Sequence, residues 1–227
     1  MRLPIIAGPL RGRWWLVTSR GKVLRILNGT YEREQTRLFA EWIRPGDTVL
    51  DVGAHVGYYS LLASVLAGDG GTVWAFEPDP RNFSFLELHA RINGRSNIRA
   101  ERAAVSDANG TARFGLGSGS GTGHLAEDGA LAVRTIRLDD FCRSHDIRPA
   151  AVKIDVEGAE VAVLAGAREL LASARPVIFL STHGPDVHRH CLHLLRELGY
   201  DFQPIVGGDI ERATELLCLP GGATRDG

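Results

Sequence analysis

Hydrophobic and polar positions along this chain alternate between two periods. Short, nearly all-apolar runs lie at 48–53 (TVLDVG), 72–77 (TVWAFE), about 97–105, 151–157 (AVKIDVE) and 176–182 (PVIFLST). Between them lie stretches of helical period. Tyr31, Leu38, Phe39 and Trp42 share one face of a helix reaching about Ile43, and a second helix runs from Gly57 to about Ala67. Asp79-Pro80 supplies an N-cap and a first-turn proline for a third, to about Ile92. Two more end near Ala172 and Leu198, the last with a core stripe of Val187, Cys191, Leu194, Leu195 and Leu198. A closing pair of strands follows near YDFQPI and TELLCLP. Buried strands separated by helices predict an α/β fold: a mostly parallel central sheet, helices on both faces, right-handed crossovers. Residues 13–27, RWWLVTSRGKVLRIL, read as a hairpin around Arg20-Gly21. The expected organisation is an N-terminal hairpin arm over 1–30 and one domain over 31–227, with the Trp14-Trp15 pair outside the core and free for a homodimer contact.

Composition narrows the partners. With 227 residues and a formal charge of -1, the chain lacks the basic footprint that nucleic acid or an anionic membrane surface requires. Three cysteines without CxxC spacing fit reduced thiols, and no apolar run approaches a leader or a membrane span, so a cytoplasmic protein is expected. The segment GLGSGSGTG (115–123) has glycine at every other position, which predicts a mobile lid; His124, which follows it, is either carried over the site on closure or an exposed loop histidine.

Ligands of parallel sheets bind beyond the carboxyl ends of the strands. Those ends carry Asp51 with Gly53, then Glu77, then Asp107, then Asp155 with Glu157, then Thr182 with His183. An acid ending the second strand is placed to accept both hydroxyls of an adenosine ribose. A nicotinamide-dependent oxidoreductase shares that acid, but here His55 stands where its middle glycine would be, which crowds a pyrophosphate. A phosphate-free adenosine ligand such as S-adenosylmethionine fits better. At the acceptor side, Asp155 is a candidate metal ligand or orienting group, and Glu157 a second ligand, a base, or merely an acid near a helix N-terminus. Asp155 and His183 are donors suited to Mg²⁺ or Mn²⁺. Lys153, on an apolar strand, is expected to pair with Asp155 or a neighbouring carboxylate. Of His183, His188, His190 and His193 only His183 is placed for chemistry, and the other three are expected to be solvated. A nucleic-acid methyltransferase would need a basic surface and a base-flipping pocket such as NPPY. A non-catalytic S-adenosylmethionine-binding module leaves Asp155, Glu157 and His183 without a task.

The runs GTYEREQTRLFAEWIRPGDTVLDVGAHVGYYSLLAS, AFEPDPRNF, AVSDANGTA, TIRLDDF and KIDVEGAEVAVLAGA resemble the FkbM family of S-adenosylmethionine-dependent methyltransferases, from about Gly29 to Tyr200. The resemblance implies a Rossmann-like class I methyltransferase fold. It implies Gly53 and Gly57 against the methionine part of the cofactor, Glu77 on the ribose, and Ser106-Asp107 near the adenine. Tyr31-Glu32 corresponds to the family's YE motif beside the cofactor, and Asp51, His55, Tyr59 and Ser60 complete the expected cofactor set. Two positions depart from the pattern: His55 stands for the usual asparagine, and STHG (181–184) stands where many relatives carry a glutamate. The implied acceptor is a hydroxyl of a sugar or small oligosaccharide. A narrower resemblance points to the anomeric hydroxyl of a short 3-O-methylated mannoside, in polysaccharide biosynthesis, with magnesium assisting.

Overall fold

A computed structural model describes residues 1–17, 22–115, 124–125 and 129–222. In chain order the elements are β1 (Arg2–Pro4), β2 (Trp14–Leu16), α1 (Val23–Leu27), α2 (Arg33–Trp42), β3 (Thr48–Val52), α3 (Tyr58–Ala67), β4 (Thr72–Phe76), α4 (Pro80–Ile92), β5 (Ile98–Glu101), β6 (Ala104–Ser106) and β7 (Gly110–Gly115). There follow β8 (His124–Leu125), β9 (Leu131–Arg137), α5 (Leu138–Ser144), β10 (Ala151–Ile154), α6 (Glu160–Ala165), α7 (Arg168–Ala174), β11 (Val177–Ser181), α8 (Pro185–Glu197), β12 (Tyr200–Pro204) and β13 (Glu215–Pro220).

Seven strands form the central sheet in the order β12-β13-β11-β10-β3-β4-β5. The five from β5 to β11 run parallel, and β13 lies antiparallel between β11 and β12. Both faces are covered, which is why these strands read as unbroken apolar runs. Because side chains alternate across a strand, Leu50 and Val52 enter the core beneath α5–α8, while Val49 enters the opposite core with α2, α3 and the N-terminal arm. The order reverses between β3 and β10. Chains entering helices from these two strands diverge to opposite sides, so a crevice opens at their carboxyl ends. Asp79 caps α4 as its sequence predicts, accepting from the backbone N–H groups of Arg81 and Asn82.

Four expectations change. The 13–27 hairpin does not form as read: Trp14–Leu16 pairs with Arg2–Pro4, and Val23–Leu27 is helical, while the Arg20-Gly21 turn lies outside the described residues. Trp15 is not outside the core. It is buried and stacks on His89 with ring centroids 3.8 Å apart, because β2 docks on α4, where Asn93 bonds the backbone N–H and C=O of Trp14. The third strand is broken at Arg102-Ala103, so Ala104–Ser106 joins a separate sheet of order β6-β9-β7-β8. His188 is buried rather than solvated. It lies three, four and seven residues before Cys191, Leu192 and Leu195, on the same buried stripe of α8, and its ring bonds Thr182 Oγ1 at 3.0 Å and the Ile210 carbonyl at 2.9 Å. The interior of the expected lid, 116–123, lies outside the described residues; its flanks Gly115 and His124 are a backbone pair of β7 and β8.

Candidate active site

The crevice is built on Gly53 and Gly57, the two glycines that leave β3 and enter α3. Both have left-handed backbones, φ +78° and +90°. A Cβ on Gly53 would stand 1.8 Å from the carbonyl oxygen of Asp155, and one on Gly57 would stand 2.6 Å from Leu86 Cδ1. The turn therefore passes directly against the end of β10, where any side chain would collide. The space beside it is a cavity of about 140 Å³ that opens to solvent.

At one end of this cavity lies Glu77, 5% exposed. Its Oε2 accepts the His55 N–H at 2.8 Å and its Oε1 accepts the Asp79 N–H at 3.0 Å. The backbone thus fixes the carboxylate's plane and leaves lone pairs for further donors. Burial raises its pKa to about 7 despite these bonds. Phe76, Ala103, Ala104, Val105 and Phe114 provide apolar walls beside it, suited to a flat ring.

At the other end Tyr31, Tyr58 and Tyr59 pack edge to face, with centroids 4.8 Å and 5.2 Å apart. Tyr59 donates its hydroxyl hydrogen to Glu32 Oε2 at 2.5 Å. Beneath them Lys153, 3% exposed, has Nζ 3.3 Å from the Gly53 carbonyl, 3.4 Å from Asp155 Oδ2 and 3.7 Å from Asp51 Oδ1. Burial pushes this ammonium toward neutrality, but Asp155 and Asp51 outweigh it and hold the charge. Asp155 is correspondingly low: burial would raise it, and Lys153 and His183 reverse that. Asp51, fully enclosed and bonded by Ser60 Oγ at 2.5 Å, is raised by burial. The lysine thus ties the glycine turn to the end of β10.

Beyond Asp155 stand Glu157 and His183. One ligating atom from each of the three lies within 4.8 Å of the others, and all are partly exposed. His183 Nε2 is 3.8 Å from Asp155 Oδ1 and 3.6 Å from Glu157 Oε2, while its Nδ1 is 2.7 Å from Oε1 of the fully buried Glu160. The hydrogen bond to Glu160, with the charges of Glu157 and Asp155, raises His183 to about 9. Glu32, His55 and Glu157 are three of the five non-glycine residues with positive φ among those described, and all three line the cavity. Such clustering of backbone strain is a mark of functional sites.

Of the residues singled out in the sequence, Tyr31, Glu32, Gly53, His55, Tyr59, Glu77, Lys153, Asp155 and Glu157 line the cavity. Gly57, Asp51 and Ser60 support it without lining it, and His183 stands at the acceptor side. Ser106 and Asp107 do not line it: the break before β6 puts Ala103–Val105 at the wall and leaves Asp107 exposed on the turn beyond. His124 is described only through its backbone in β8. Sequence reading missed Glu160 and Lys22. Glu160 had a legible signal, an acid three residues after Glu157 in KIDVEGAE; Lys22 had none, because the strand expected there is a helix.

A family model described as the methyltransferase FkbM domain matches residues 51–202. The hexuronic acid methyltransferase AglP of Haloferax volcanii is 31% identical over 166 residues, 71% of this chain and 67% of that protein. The 2-O-methyltransferase NoeI of Sinorhizobium fredii is 29% identical over 153 residues, 58% of this chain and 62% of that protein. These matches span roughly two thirds of each relative's length. The crystal structure of a methyltransferase FkbM from Methylobacillus flagellatus superposes with a TM-score of 0.55 at 20% identity, over 87% of this chain and 53% of that one. The glycine turn, the buried acid ending β4 and the Lys153–Asp155 tie all fall inside the matched segment, and the chain belongs to the FkbM methyltransferase family, with the Rossmann-like fold of class I methyltransferases.

Proposed function

We propose that this chain is an S-adenosylmethionine-dependent O-methyltransferase acting on a hydroxyl of a sugar or small oligosaccharide. The observation that carries the reading is the proximity of Asp155, Glu157 and His183 to one another at the edge of a cavity whose far end holds the oriented carboxylate of Glu77. Glu77 accepts the ribose hydroxyls, the apolar wall takes the adenine, and the Gly53 turn admits the chain leading to the sulfonium. The reactive methyl group is the cofactor's own. The protein's part is to hold the acceptor oxygen roughly 3 Å from it, in line, and to take up the hydroxyl proton.

A divalent cation fits the acceptor side, because two carboxylate oxygens and one imidazole nitrogen converge there and Glu160 steadies the imidazole from behind, as carboxylates commonly do for metal-bound histidine. The mixed oxygen and imidazole set suits Mn²⁺ at least as well as Mg²⁺. Asp155, Glu157 and His183 would hold such an ion, which would supply Lewis-acid stabilisation of negative charge developing on the acceptor oxygen. His183 as it stands is cationic at neutral pH. Its Nε2 then has no lone pair for a proton, which leaves the carboxylate oxygens of Asp155 and Glu157 as proton acceptors.

The hexuronic acid methyltransferase among the relatives supports a sugar acceptor. The narrower acceptor, the anomeric hydroxyl of a short 3-O-methylated mannoside, rests on sequence resemblance. Transfer of a labelled methyl group from S-adenosylmethionine to a panel of mannosides, 3-O-methylmannosides and uronic acids, followed by mass spectrometry, tests both. Cofactor binding without transfer to any hydroxyl compound would favour a binding module instead.

A further inference from the structure

We propose that Lys22, a residue of the N-terminal arm, seats the α-carboxylate of the cofactor, so that the arm completes the cofactor site from outside the family-matched segment. The inference rests on the reading of the cavity as an S-adenosylmethionine site. With the ribose at Glu77, a ligand that passes the Gly53 turn delivers its tail to the end lined by Lys22, Tyr31 and Glu32. That tail is an amino acid, one carboxylate and one ammonium on the same carbon.

The charges at this end match it. Lys153 is already committed to Asp51, Asp155 and a carbonyl. Lys22 takes part in no ion pair among the described residues, yet it lines the cavity, lies near enough to lower the Asp155 carboxyl, and has Nζ 5.9 Å from the centre of the Tyr31 ring. Glu32 supplies the opposite sign one residue beyond Tyr31, its carboxylate aimed by the Tyr59 hydroxyl and its backbone held at φ +40°. Lys22 is kept there by packing: the next residue, Val23, and Ile26 one turn on are buried in the same apolar cluster as Tyr58 and Tyr59. Arg25, also over Tyr31 at 5.7 Å, does not line the cavity.

Titration calorimetry with two ligands decides the matter. S-adenosylhomocysteine carries the amino acid and 5′-methylthioadenosine lacks it. Lys22→Met should weaken S-adenosylhomocysteine about tenfold, in the range of a charge-assisted bond at a solvent-accessible site, and leave 5′-methylthioadenosine unchanged, while Lys22→Arg should keep most of the discrimination. Unchanged S-adenosylhomocysteine affinity in Lys22→Met overturns the proposal, and so does equal weakening of both ligands, which would mark a structural role. If Lys22→Met spares S-adenosylhomocysteine but abolishes methylation of a uronic acid, the lysine serves a carboxylate of the acceptor and the proposal is likewise overturned. If the wild-type protein binds neither adenosine compound, the cofactor reading itself has failed.

Discussion

His183 Nδ1 lies 2.7 Å from Oε1 of Glu160, a carboxylate without solvent exposure. Glu160 also accepts the Gly158 N–H at 3.1 Å, so the carboxylate that aims the imidazole is itself fixed by the turn that carries Glu157. Glu160→Gln should lower turnover about 10- to 100-fold with little change in S-adenosylhomocysteine affinity. It should also move the His183 midpoint, read by NMR, down from about 9. The sign follows from the shift. A histidine raised above its unfolded value of about 6.5 adds stability below that pH and loses it as pH rises through about 9. The metal-free wild type should therefore lose melting temperature between those values, and Glu160→Gln should lose less.

Glu77 should make cofactor affinity depend on pH. Its carboxyl is raised to about 7 by burial, while donation from ribose hydroxyls favours the ionised form. Binding of S-adenosylhomocysteine should thus tighten as pH rises through about 7, and the slope should vanish in Glu77→Gln. Glu77→Ala should weaken binding by about 1.5 to 3 kcal/mol. Calorimetry across this range checks both; a flat profile in the wild type would remove the ribose contact.

Asp155 separates binding from chemistry. Asp155→Ala should cost at least ~100-fold in rate while S-adenosylmethionine still binds, and a chelator should reproduce the loss where a cation acts. Full turnover in chelator would leave proton transfer to Asp155 or Glu157 as the activating step. Full turnover in Asp155→Ala would remove the proposed acceptor site.

The contact of Trp15 with His89 should make the arm acid-labile. His89 donates from Nδ1 to the Val56 carbonyl and accepts the Leu16 N–H at Nε2, so both nitrogens are used in the neutral form. Burial lowers its pKa to about 4. Its contribution is present above the unfolded value of about 6.5 and is lost as pH falls toward 4, by roughly 3 kcal/mol in full. Hydrogen exchange at Trp15 and Leu16 should rise over that interval before the central sheet opens. Equal protection of arm and sheet down to pH 4 would contradict it.

The central strands, their helices and the acid ending β4 were legible in the sequence, because periodicity and capping are local: a strand buried on both faces is predominantly apolar, and Asp79-Pro80 ahead of a helical period is an N-cap with a first-turn proline. Gly53 was legible as a turn, but its necessity comes from the carbonyl of Asp155, about one hundred residues further on, pressing against it. The arm was not legible. Val23–Leu27 carries the same apolar residues whether extended or helical, and its state was decided by the burial of Val23 and Ile26 against α3 and by β1 taking the place beside β2. Ser106-Asp107 stands off the cavity lining for a like reason: one break in an apolar run moves its end into another sheet. The site's chemistry lies between these cases. Asp155, Glu157 and His183 could be named from strand ends, but the state of His183 depends on Glu160 behind it, and the charge on Lys153 depends on two carboxylates. Residue type can be read along a chain; charge state is set by what the fold brings within a few ångströms, and only tertiary structure decides that.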